Sequence, residues 1–411
     1  MLELYLDCPC KPPTMVRCRK FSISLIALFM LVALKIYIDL TFTPAHLPEA
    51  PSVSPEPFRS PMVQLDSLRG DEELSMATLH NLAQKLRKAV IRSEAYWNTE
   101  QLQLLDLKGP MAWTCGNSTS VPQEKVTDPY PDLLQSFLIH SRCRNHRMII
   151  NQPKKCSLNN TFLLLAIKSS PQNFAQRQAV RDSWGGERNY EGKNVKLVFL
   201  LGTVQVPDLS PLLAYENSRS YDLLQWDFVD TFFNLTLKDQ LFLGWANKHC
   251  ARAKYILKGD DDVFARIPNI VQVLSLLDGQ RHSSLYMGHV VKAARPYRDT
   301  HSKYYIPPSF YAGFYPPYAG GGGYVFSGRL IPWLYLVSRF VAPFPIDDVY
   351  TGMCFMALGV HPVGHPGFKT FNIPKEEKTS CSEKHLLLVH RKSPQEMLKM
   401  WGLQNEKTQQ C

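Results

Sequence analysis

The sequence predicts an α/β domain with a mostly parallel central sheet, and three observations support this fold class. Short apolar segments alternate with helical patterns from about residue 160 onward. These segments have the length of strands, and the helices between them suit parallel crossovers. A run of acidic residues directly follows one segment, and the carboxyl ends of parallel strands are where such sheets bind ligands.

Each predicted element follows from the spacing of its apolar residues. Continuous aliphatic runs predict strands, and apolar residues three and four positions apart predict helices. Asn234 precedes the longest helix as a typical N-cap. In chain order the predictions are strand 162–167, helix 173–184, strand 195–201, helix 209–218, strand 223–228, helix 234–249, strand 254–258, a helix from 347 to about 358, and strand 386–389.

The most informative motif is the acidic run at 258–264, Lys-Gly-Asp-Asp-Asp-Val-Phe. Its adjacent carboxylates, Asp260, Asp261 and Asp262, need a counter-charge because an ionised group loses much hydration on burial. A hard divalent cation shared with substrate phosphates would supply that charge. The alternative is an acidic loop that caps a helix over 263–277. The position at a strand end favours a metal–diphosphate site.

Composition and motifs exclude other classes of function. The formal net charge is +10, but no Lys/Arg run with interleaved aromatic residues indicates a nucleic-acid groove. A basic protein still favours anionic substrates such as nucleotide sugars. Neither a GxxxxGK[ST] loop nor a strand followed by GxGxxG occurs, so a cation is predicted to hold the diphosphate.

The N-terminal region predicts a membrane anchor. Residues 21–38 are predominantly apolar, carry no charge except Lys35 and form a stretch of 18 residues, just long enough to span a bilayer. Basic residues precede this stretch, whereas Asp39 and Glu49 follow it. The positive-inside rule therefore predicts a single-pass type II membrane protein with a cytosolic tail at 1–20. A cleaved signal peptide is the alternative, but no clear small-x-small cleavage site follows the apolar stretch.

A luminal stem is predicted over 39–93, ahead of a catalytic domain at 94–411. Six prolines lie between residues 41 and 63, which is typical of an extended segment. Apolar residues then recur at helical spacing, and we expect this helix to pack on the domain because it covers too few heptads for a coiled coil. Pairing with another copy is the alternative. The apolar positions are Leu79, Leu82, Leu86 and Val90.

Seven cysteines lie on the predicted luminal side, and none forms a CxxC pair. Disulfides are therefore predicted instead of a zinc site, and the odd number leaves one thiol free or intermolecular. Because Cys156 and Cys250 both lie just before neighbouring predicted strands, we expect them to be paired. Sequons predict glycan acceptors at Asn117, Asn159 and Asn234.

A segment of four glycines among tyrosines lies at 315–324. Missing Cβ atoms let a ligand approach the backbone, and aromatic rings cover the apolar side of a sugar. A flexible linker is disfavoured because linkers are rarely so aromatic. Tyr318, Gly321 and Gly322 are therefore candidates for acceptor contact.

Two further polar motifs are ambiguous by themselves. Asp347 and Asp348 open a predicted helix, and since neighbouring side chains there point about 100° apart, only one should enter a given pocket. The alternative is that both are ordinary acids of a first helical turn. His390 ends an apolar segment and is either a metal ligand or an ordinary strand-end residue.

Together these segments resemble the β-1,3-glycosyltransferases of the Golgi, and within them the β-1,3-N-acetylglucosaminyltransferases that extend poly-N-acetyllactosamine chains. The resemblance covers about residues 94–411. It rests on an ordered set of segments, at 94–98, 162–169, 177–185, 232–236, 258–264, 315–324, 346–352 and 389–390.

The resemblance implies a GT-A type nucleotide-sugar transferase fold in the Golgi membrane. It implies inverting transfer of N-acetylglucosamine from UDP-GlcNAc to a terminal galactose on a glycoprotein or glycolipid. Asp262 and His390 would ligate the cation, and the imidazole favours Mn²⁺ over Mg²⁺. Asp260 and Asp261 would hold the ribose and neighbouring cations.

The resemblance also implies that Lys168, Arg177 and Arg181 line the nucleotide pocket. The alternative is that the arginines pair with Asp182 or Glu187.

A single displacement needs one base on the acceptor hydroxyl. We assign this role to Asp348, with Asp347 oriented to the acceptor or to the supporting loop. The reverse order is the alternative.

Three other functions stay open on the sequence alone. β-1,3-Galactosyl transfer from UDP-galactose would use the same machinery. A metal-dependent diphosphate hydrolase and a non-catalytic luminal glycan-binding protein are the alternatives from other classes. The stem is compatible with homo-oligomers and hetero-oligomers.

Overall fold

The computed structural model describes residues 76–106, 130–141, 143–157, 161–278, 284–371 and 385–405. The strands are β1 Met148–Ile150, β2 Thr161–Lys168, β3 Asn189–Tyr190, β4 Lys193–Thr203, β5 Leu223–Val229, β6 Tyr255–Asp260, β7 Phe264–Ala265, β8 Tyr286–Val291, β9 Tyr318–Ser327, β10 Val363–Gly364, β11 Phe368–Lys369 and β12 Leu388–Val389. The helices are α1 Met76–Arg87, α2 Tyr96–Asp106, α3 Asp132–His140, α4 Phe174–Asp182, α5 Ser210–Ser220, α6 Leu235–His249, α7 Ile267–Asp278, α8 Ile331–Val337, α9 Asp347–Ala357 and α10 Pro394–Asn405.

A mixed sheet with a parallel centre organises the described residues. Its order is β1-β5-β4-β2-β6-β9-β8-β10, with β3 beside β4. The central neighbours β5, β4, β2 and β6 run parallel, whereas β9 lies antiparallel between β6 and β8. A second sheet joins β11, β12 and β7. The predicted α/β class with a mostly parallel centre is confirmed.

Alternate residues of β2 belong to two hydrophobic cores, one on each face of the sheet. Leu164 and Ala166 pack into one core, and Leu163, Leu165 and Ile167 pack into the other. Side chains of a strand alternate between faces, and a central parallel strand is covered on both. This explains why the predicted strand is a continuous apolar run.

The structure removes the disfavoured alternative at two motifs. The acidic run does not cap a helix, because β7 intervenes before α7 begins at Ile267. The glycine run is not a linker, because it forms the interior of β9.

Helix α1 packs on the rest of the described fold, as expected. Leu86 and Val90 are buried in the larger core. The cytosolic tail at 1–20, the anchor at 21–38 and residues 39–75 of the predicted stem lie outside the described residues. Among the residues that the structure does describe, no helix is both long and apolar enough to cross a membrane.

A disulfide joins Cys156 to Cys250, which confirms the predicted pair. Cys143 is also disulfide-bonded. Cys354 is a free, buried cysteine on α9.

Candidate active site

The three aspartates of the acidic run face different neighbours. Asp261 is only 7% exposed and accepts hydrogen bonds from Ser169 Oγ at 2.6 Å and Asn173 Nδ2 at 2.9 Å. It therefore fastens the loop that follows β2. This placement argues against the predicted contact between Asp261 and a ribose, because its carboxylate is turned into the protein.

Asp260, Asp262 and His390 converge and can each offer one ligand atom, with these atoms within 4.8 Å of one another. His390 Nε2 lies 3.0 Å from Asp262 Oδ1 and 3.7 Å from Asp260 Oδ2. The other ring nitrogen, Nδ1, donates to the Thr370 carbonyl at 3.0 Å. Metal-ligating histidines are typically oriented by such a bond. The donor set therefore fits a divalent cation.

The electrostatics of this group also favour a cation. Burial raises the pKa of Asp260, and the nearby Asp347 and Asp262 raise it further although Lys168 lowers it. Burial lowers the pKa of His390, but the carboxylates of Asp262 and Asp260 raise it above its ordinary value. Excess negative charge thus draws a proton to the imidazole, and a bound cation would take its place.

Lys168 connects the candidate metal ligands, which we call the metal group (Asp260, Asp262 and His390), to the two aspartates that begin α9, Asp347 and Asp348. Lys168 and Asp260 are direct neighbours on the parallel strands β2 and β6, and their charged atoms lie 3.0 Å apart. The ammonium also donates to Asp347 Oδ2, and its side chain is 4% exposed. Lys168 therefore neutralises two carboxylates, which argues against the predicted direct role in lining the nucleotide pocket.

The adjacent acids of α9 have different environments. Burial raises the pKa of Asp347, but the ammonium of Lys168 lowers it below its ordinary value. Burial and the charge of Asp347 raise the pKa of Asp348 to about 7. Asp348 is partly exposed, whereas Asp347 is buried. One acid is thus held ionised by an ion pair, and the other is poised to exchange a proton near neutral pH.

The glycines of β9 make room for side chains from other elements. Gly321 donates its backbone N–H to Asp348 Oδ2 at 2.9 Å. A Cβ at Gly322 would lie 2.8 Å from His390 Cγ, and one at Gly320 would lie 2.7 Å from Thr370 Oγ1. The space beside Gly321 and Gly322 is therefore filled by Asp348 and His390. The contact of Gly321 and Gly322 with an acceptor stays a prediction.

Tyr318 opens β9 and lies next to α9. A Cβ at Gly352 would lie 2.6 Å from Tyr318 Cβ, so the strand and the helix approach closely there. Burial raises the pKa of the Tyr318 phenol, and the charge of Asp348 raises it further. Tyr318 is half-buried, which is compatible with its predicted contact with an acceptor.

The arginines of α4 form a buried structural network. Arg177 is fully buried and makes a two-pronged ion pair with Glu216 at 2.7 and 2.8 Å. Its remaining N–H groups donate to Ser169 Oγ and to the carbonyls of Ser170 and Pro171. All of its donors are used, which argues against a contact with the nucleotide.

Arg181 extends the same network. It donates to both oxygens of Asp222 at 2.8 and 2.9 Å and to Glu216 at 2.7 Å. This placement also argues against a nucleotide contact. The alternative, that the two arginines form ion pairs with acidic residues, is correct. Their partners are Glu216 on α5 and Asp222 beside β5, not Asp182 or Glu187.

The structure describes only one of the three predicted glycan acceptors. Asn117 and Asn159 lie outside the described residues. Asn234 is 2% exposed, and its Nδ2 donates to the Val229 carbonyl at 2.8 Å. A glycan on this nitrogen would replace that bond in a space without room for a sugar, so the folded structure argues against Asn234 as an acceptor.

Sequence reasoning missed the buried polar residues of α6. Lys258 pairs with Asp239, which also accepts a hydrogen bond from Thr351 at 3.3 Å. Lys238 is fully buried and pairs with Asp230 while donating to the Ser169 carbonyl at 2.7 Å. The available signal was the pair Lys238-Asp239 inside a helix that is otherwise largely apolar.

A cavity of about 720 Å³ adjoins the metal group through Thr370. Thr370 accepts the bond from His390, and its own buried Oγ1 has no partner among the described residues. The other lining residues include His289, Lys292, His365 and Phe371. The volume suits a small ligand.

Comparisons with known proteins identify the same kind of enzyme as the sequence resemblance. A family model described as Galactosyltransferase matches residues 175–366. N-acetyllactosaminide beta-1,3-N-acetylglucosaminyltransferase 2 of Mus musculus is 44% identical over 344 residues, which cover 78% of this chain and 86% of the relative. UDP-GlcNAc:betaGal beta-1,3-N-acetylglucosaminyltransferase 8 of Homo sapiens is 37% identical over 413 residues, which cover 96% of this chain and all of the relative.

Proposed function

Because this chain belongs to the galactosyltransferase family and is similar over most of its length to β-1,3-N-acetylglucosaminyltransferases, we propose that it is one of these enzymes. It transfers N-acetylglucosamine from UDP-GlcNAc, with inversion, to the terminal galactose of lactosamine-type glycans. The proposed fold is of the GT-A type. The observation that carries this proposal is the link through Lys168 between a metal-binding group and an acidic pair.

The donor half of the proposed site consists of Asp260, Asp262 and His390. These oxygen and imidazole ligands suit Mn²⁺, with Mg²⁺ as the alternative. A cation bound there would neutralise the charge on the departing UDP. Lys168 keeps Asp260 in place by its ion pair, and Thr370 orients His390.

The acceptor half supplies the base. Asp348 accepts the proton from the 3-hydroxyl of galactose while that oxygen attacks the anomeric carbon and the bond from this carbon to UDP breaks. The N–H groups of Gly321 and Val349 hold the Asp348 carboxylate. Asp347 does not compete for the role, because Lys168 occupies its carboxylate. Tyr318 is the proposed aromatic contact of the acceptor.

We place the enzyme in the Golgi membrane as a single-pass type II protein with a luminal catalytic domain. The charge pattern around residues 21–38 supports this orientation. The disulfide between Cys156 and Cys250 suits the oxidising lumen. Its acceptors would be glycoproteins or glycolipids that end in galactose.

A donor panel tests the proposal. The full-length protein is incubated with an N-acetyllactosamine acceptor, Mn²⁺ and either UDP-GlcNAc or UDP-galactose, and UDP release and product linkage are measured. We expect a β-1,3-linked product from UDP-GlcNAc, loss of this product with EDTA, and little transfer from UDP-galactose. A preference for UDP-galactose, or equal UDP release without acceptor, would refute the proposed activity.

A further inference from the structure

The carboxylate of Asp239 on α6 connects the two elements that carry the proposed active site. Its Oδ1 pairs with the ammonium of Lys258 on β6, two residues before Asp260. Its Oδ2 accepts a hydrogen bond of 3.3 Å from the Thr351 hydroxyl on α9. One side chain thus links the strand of the metal group to the helix that begins with the two aspartates.

Thr351 lies one turn along α9 from these aspartates. It follows Asp347 by four residues and Asp348 by three, and side chains at these spacings share one face of a helix. The phenol of Tyr324 on β9 also forms a side-chain hydrogen bond with Thr351. Because the single hydrogen of the Thr351 hydroxyl goes to Asp239, the phenol is the donor of this second bond. The first turn of α9 is therefore held from α6 and from β9.

The connection is buried in largely apolar surroundings. Asp239 is 5% exposed, and Lys258 and Tyr324 are each 3% exposed. A buried ion pair adds little net stability, because apolar residues of similar volume often serve as well, so its presence here points to the fixed geometry of the elements that it joins. The apolar residues around the small cavity between them are Phe242, Leu243, Phe326, Leu334, Cys354 and Phe355.

The position of α9 decides where the proposed base lies. The carboxylate of Asp348 accepts hydrogen bonds of 2.9 Å from the backbone N–H groups of Gly321 and Val349. Gly321 belongs to β9, so its bond forms only while the first turn of α9 stays against that strand. A displacement of about 1 Å in an active site can lower turnover about 100-fold.

We propose that Asp239 is a positioning residue, which with Lys258 and Thr351 holds the first turn of α9 so that Asp348 meets the acceptor hydroxyl beside the metal group. The inference deepens the proposed function and rests on it, because it takes Asp348 as the base. Asp239 acts through Thr351 and does not itself contact the reacting groups.

Thr351→Val tests the proposal because it removes the hydroxyl and keeps the shape of the side chain. Turnover from UDP-GlcNAc to N-acetyllactosamine at saturating substrates should fall about 10–100-fold, with an unchanged KM for UDP-GlcNAc and a normal melting temperature. Thr351→Ser keeps a hydroxyl and should retain turnover. Thr99→Val is the matched control, because Thr99 on α2 is also half-buried and its hydroxyl donates to the Ser93 carbonyl at 3.2 Å.

A second background separates positioning of the base from general damage to the enzyme. Asp348→Asn lacks the base, so adding Thr351→Val to it should lower the residual turnover by less than about twofold. An equal loss in both backgrounds would overturn the proposal. Normal turnover in Thr351→Val, or an equal loss in Thr99→Val, would overturn it as well.

Hydrogen exchange reports the position of α9 independently of the reaction. The described pairing of β9 with β6 and β8 gives Gly321 no partner, so protection of its N–H depends on Asp348. In the full-length protein in detergent, this N–H should exchange about tenfold faster in Thr351→Val and at the normal rate in Thr351→Ser and Thr99→Val. Unchanged exchange in Thr351→Val would overturn the proposal. Absence of transfer by the unaltered protein would instead refute the proposed function, and exchange would still decide whether α9 is held in this way.

Replacing the ion pair tests Asp239 itself. Asp239→Leu combined with Lys258→Met removes both charges and leaves no unpaired ion between them. We expect a melting temperature near that of the unaltered protein, together with the loss of turnover and the faster Gly321 exchange expected for Thr351→Val. Normal turnover with normal exchange in this double variant would overturn the positioning role of Asp239.

Discussion

Asp348 accepts a hydrogen bond of 2.9 Å from the backbone N–H of Gly321. The next residue of β9, Gly322, lies against the imidazole of His390. Two consecutive glycines of one strand thus position the proposed base and the proposed metal ligand. The alignment of the two halves of the site therefore depends on the absence of side chains at these positions.

Gly322→Ala should weaken metal binding. The new Cβ would lie 2.8 Å from His390 Cγ, so the imidazole must shift from its place beside Asp262. We expect Mn²⁺ affinity in the presence of UDP to fall about 10–100-fold, as measured by calorimetric titration. Gly402→Ala is the control, because a Cβ there meets no atom within 4 Å. Unchanged Mn²⁺ affinity in Gly322→Ala would show that His390 is not held by this contact.

The rate of transfer should rise with pH around neutrality. Burial and Asp347 raise the pKa of Asp348 to about 7, and a base works only in its ionised form. Below this pKa the carboxyl is protonated and inactive, so turnover at saturating substrates should increase as pH rises and then level off. A profile that stays flat from about pH 5.5 to 8 would contradict the assignment of this pKa to the base.

Replacing Asp261 or Asp262 by asparagine should have different effects on the enzyme. Asp262→Asn removes a proposed metal ligand, so the Mn²⁺ concentration needed for half-maximal activity should rise about 10–100-fold. Asp261→Asn alters the acceptor of the Ser169 and Asn173 bonds, so it should lower the melting temperature with little change in the Mn²⁺ requirement. The reverse pattern would show that the roles of the two residues are exchanged.

Arg177→Met should destabilise the fold. Removing one partner of a buried ion pair costs about 3–5 kcal/mol, and the partner Glu216 keeps only Arg181. Denaturant unfolding should show this loss, whereas Arg219→Met, at an exposed position of α5, should change stability by less than about 0.5 kcal/mol. A raised KM for UDP-GlcNAc with normal stability would instead favour the nucleotide contact that the family resemblance implies.

The central parallel strands and the candidate metal ligands could be predicted from the sequence because their signals are local. β2 is a continuous apolar run since both of its faces are buried. Asp262 and His390 stand beyond strand ends, where parallel sheets bind ligands. Asp261 and Asp262 lie in the turn after β6, so the alternation of side chains along a strand does not predict which of them faces the protein interior.

The remaining roles depend on partners that are distant in sequence. The helical spacing of Arg177 and Arg181 predicts a shared face, but their common partner Glu216 lies 39 and 35 residues away, respectively. The glycine run has weak strand propensity, yet it forms a strand because β6 and β8 pair with it on both sides. No local pattern shows that Asp348 and His390 fill the space beside it.

The most direct test of the central claim, that Asp348 is the base, compares Asp348→Asn with Asp347→Asn. Turnover from UDP-GlcNAc to N-acetyllactosamine is measured at saturating substrates, together with Mn²⁺-dependent UDP binding. We expect Asp348→Asn to lower turnover by about 10²–10⁴-fold with normal UDP binding, and Asp347→Asn to cause a smaller loss. Near-normal turnover in Asp348→Asn, with the large loss in Asp347→Asn, would contradict the assignment.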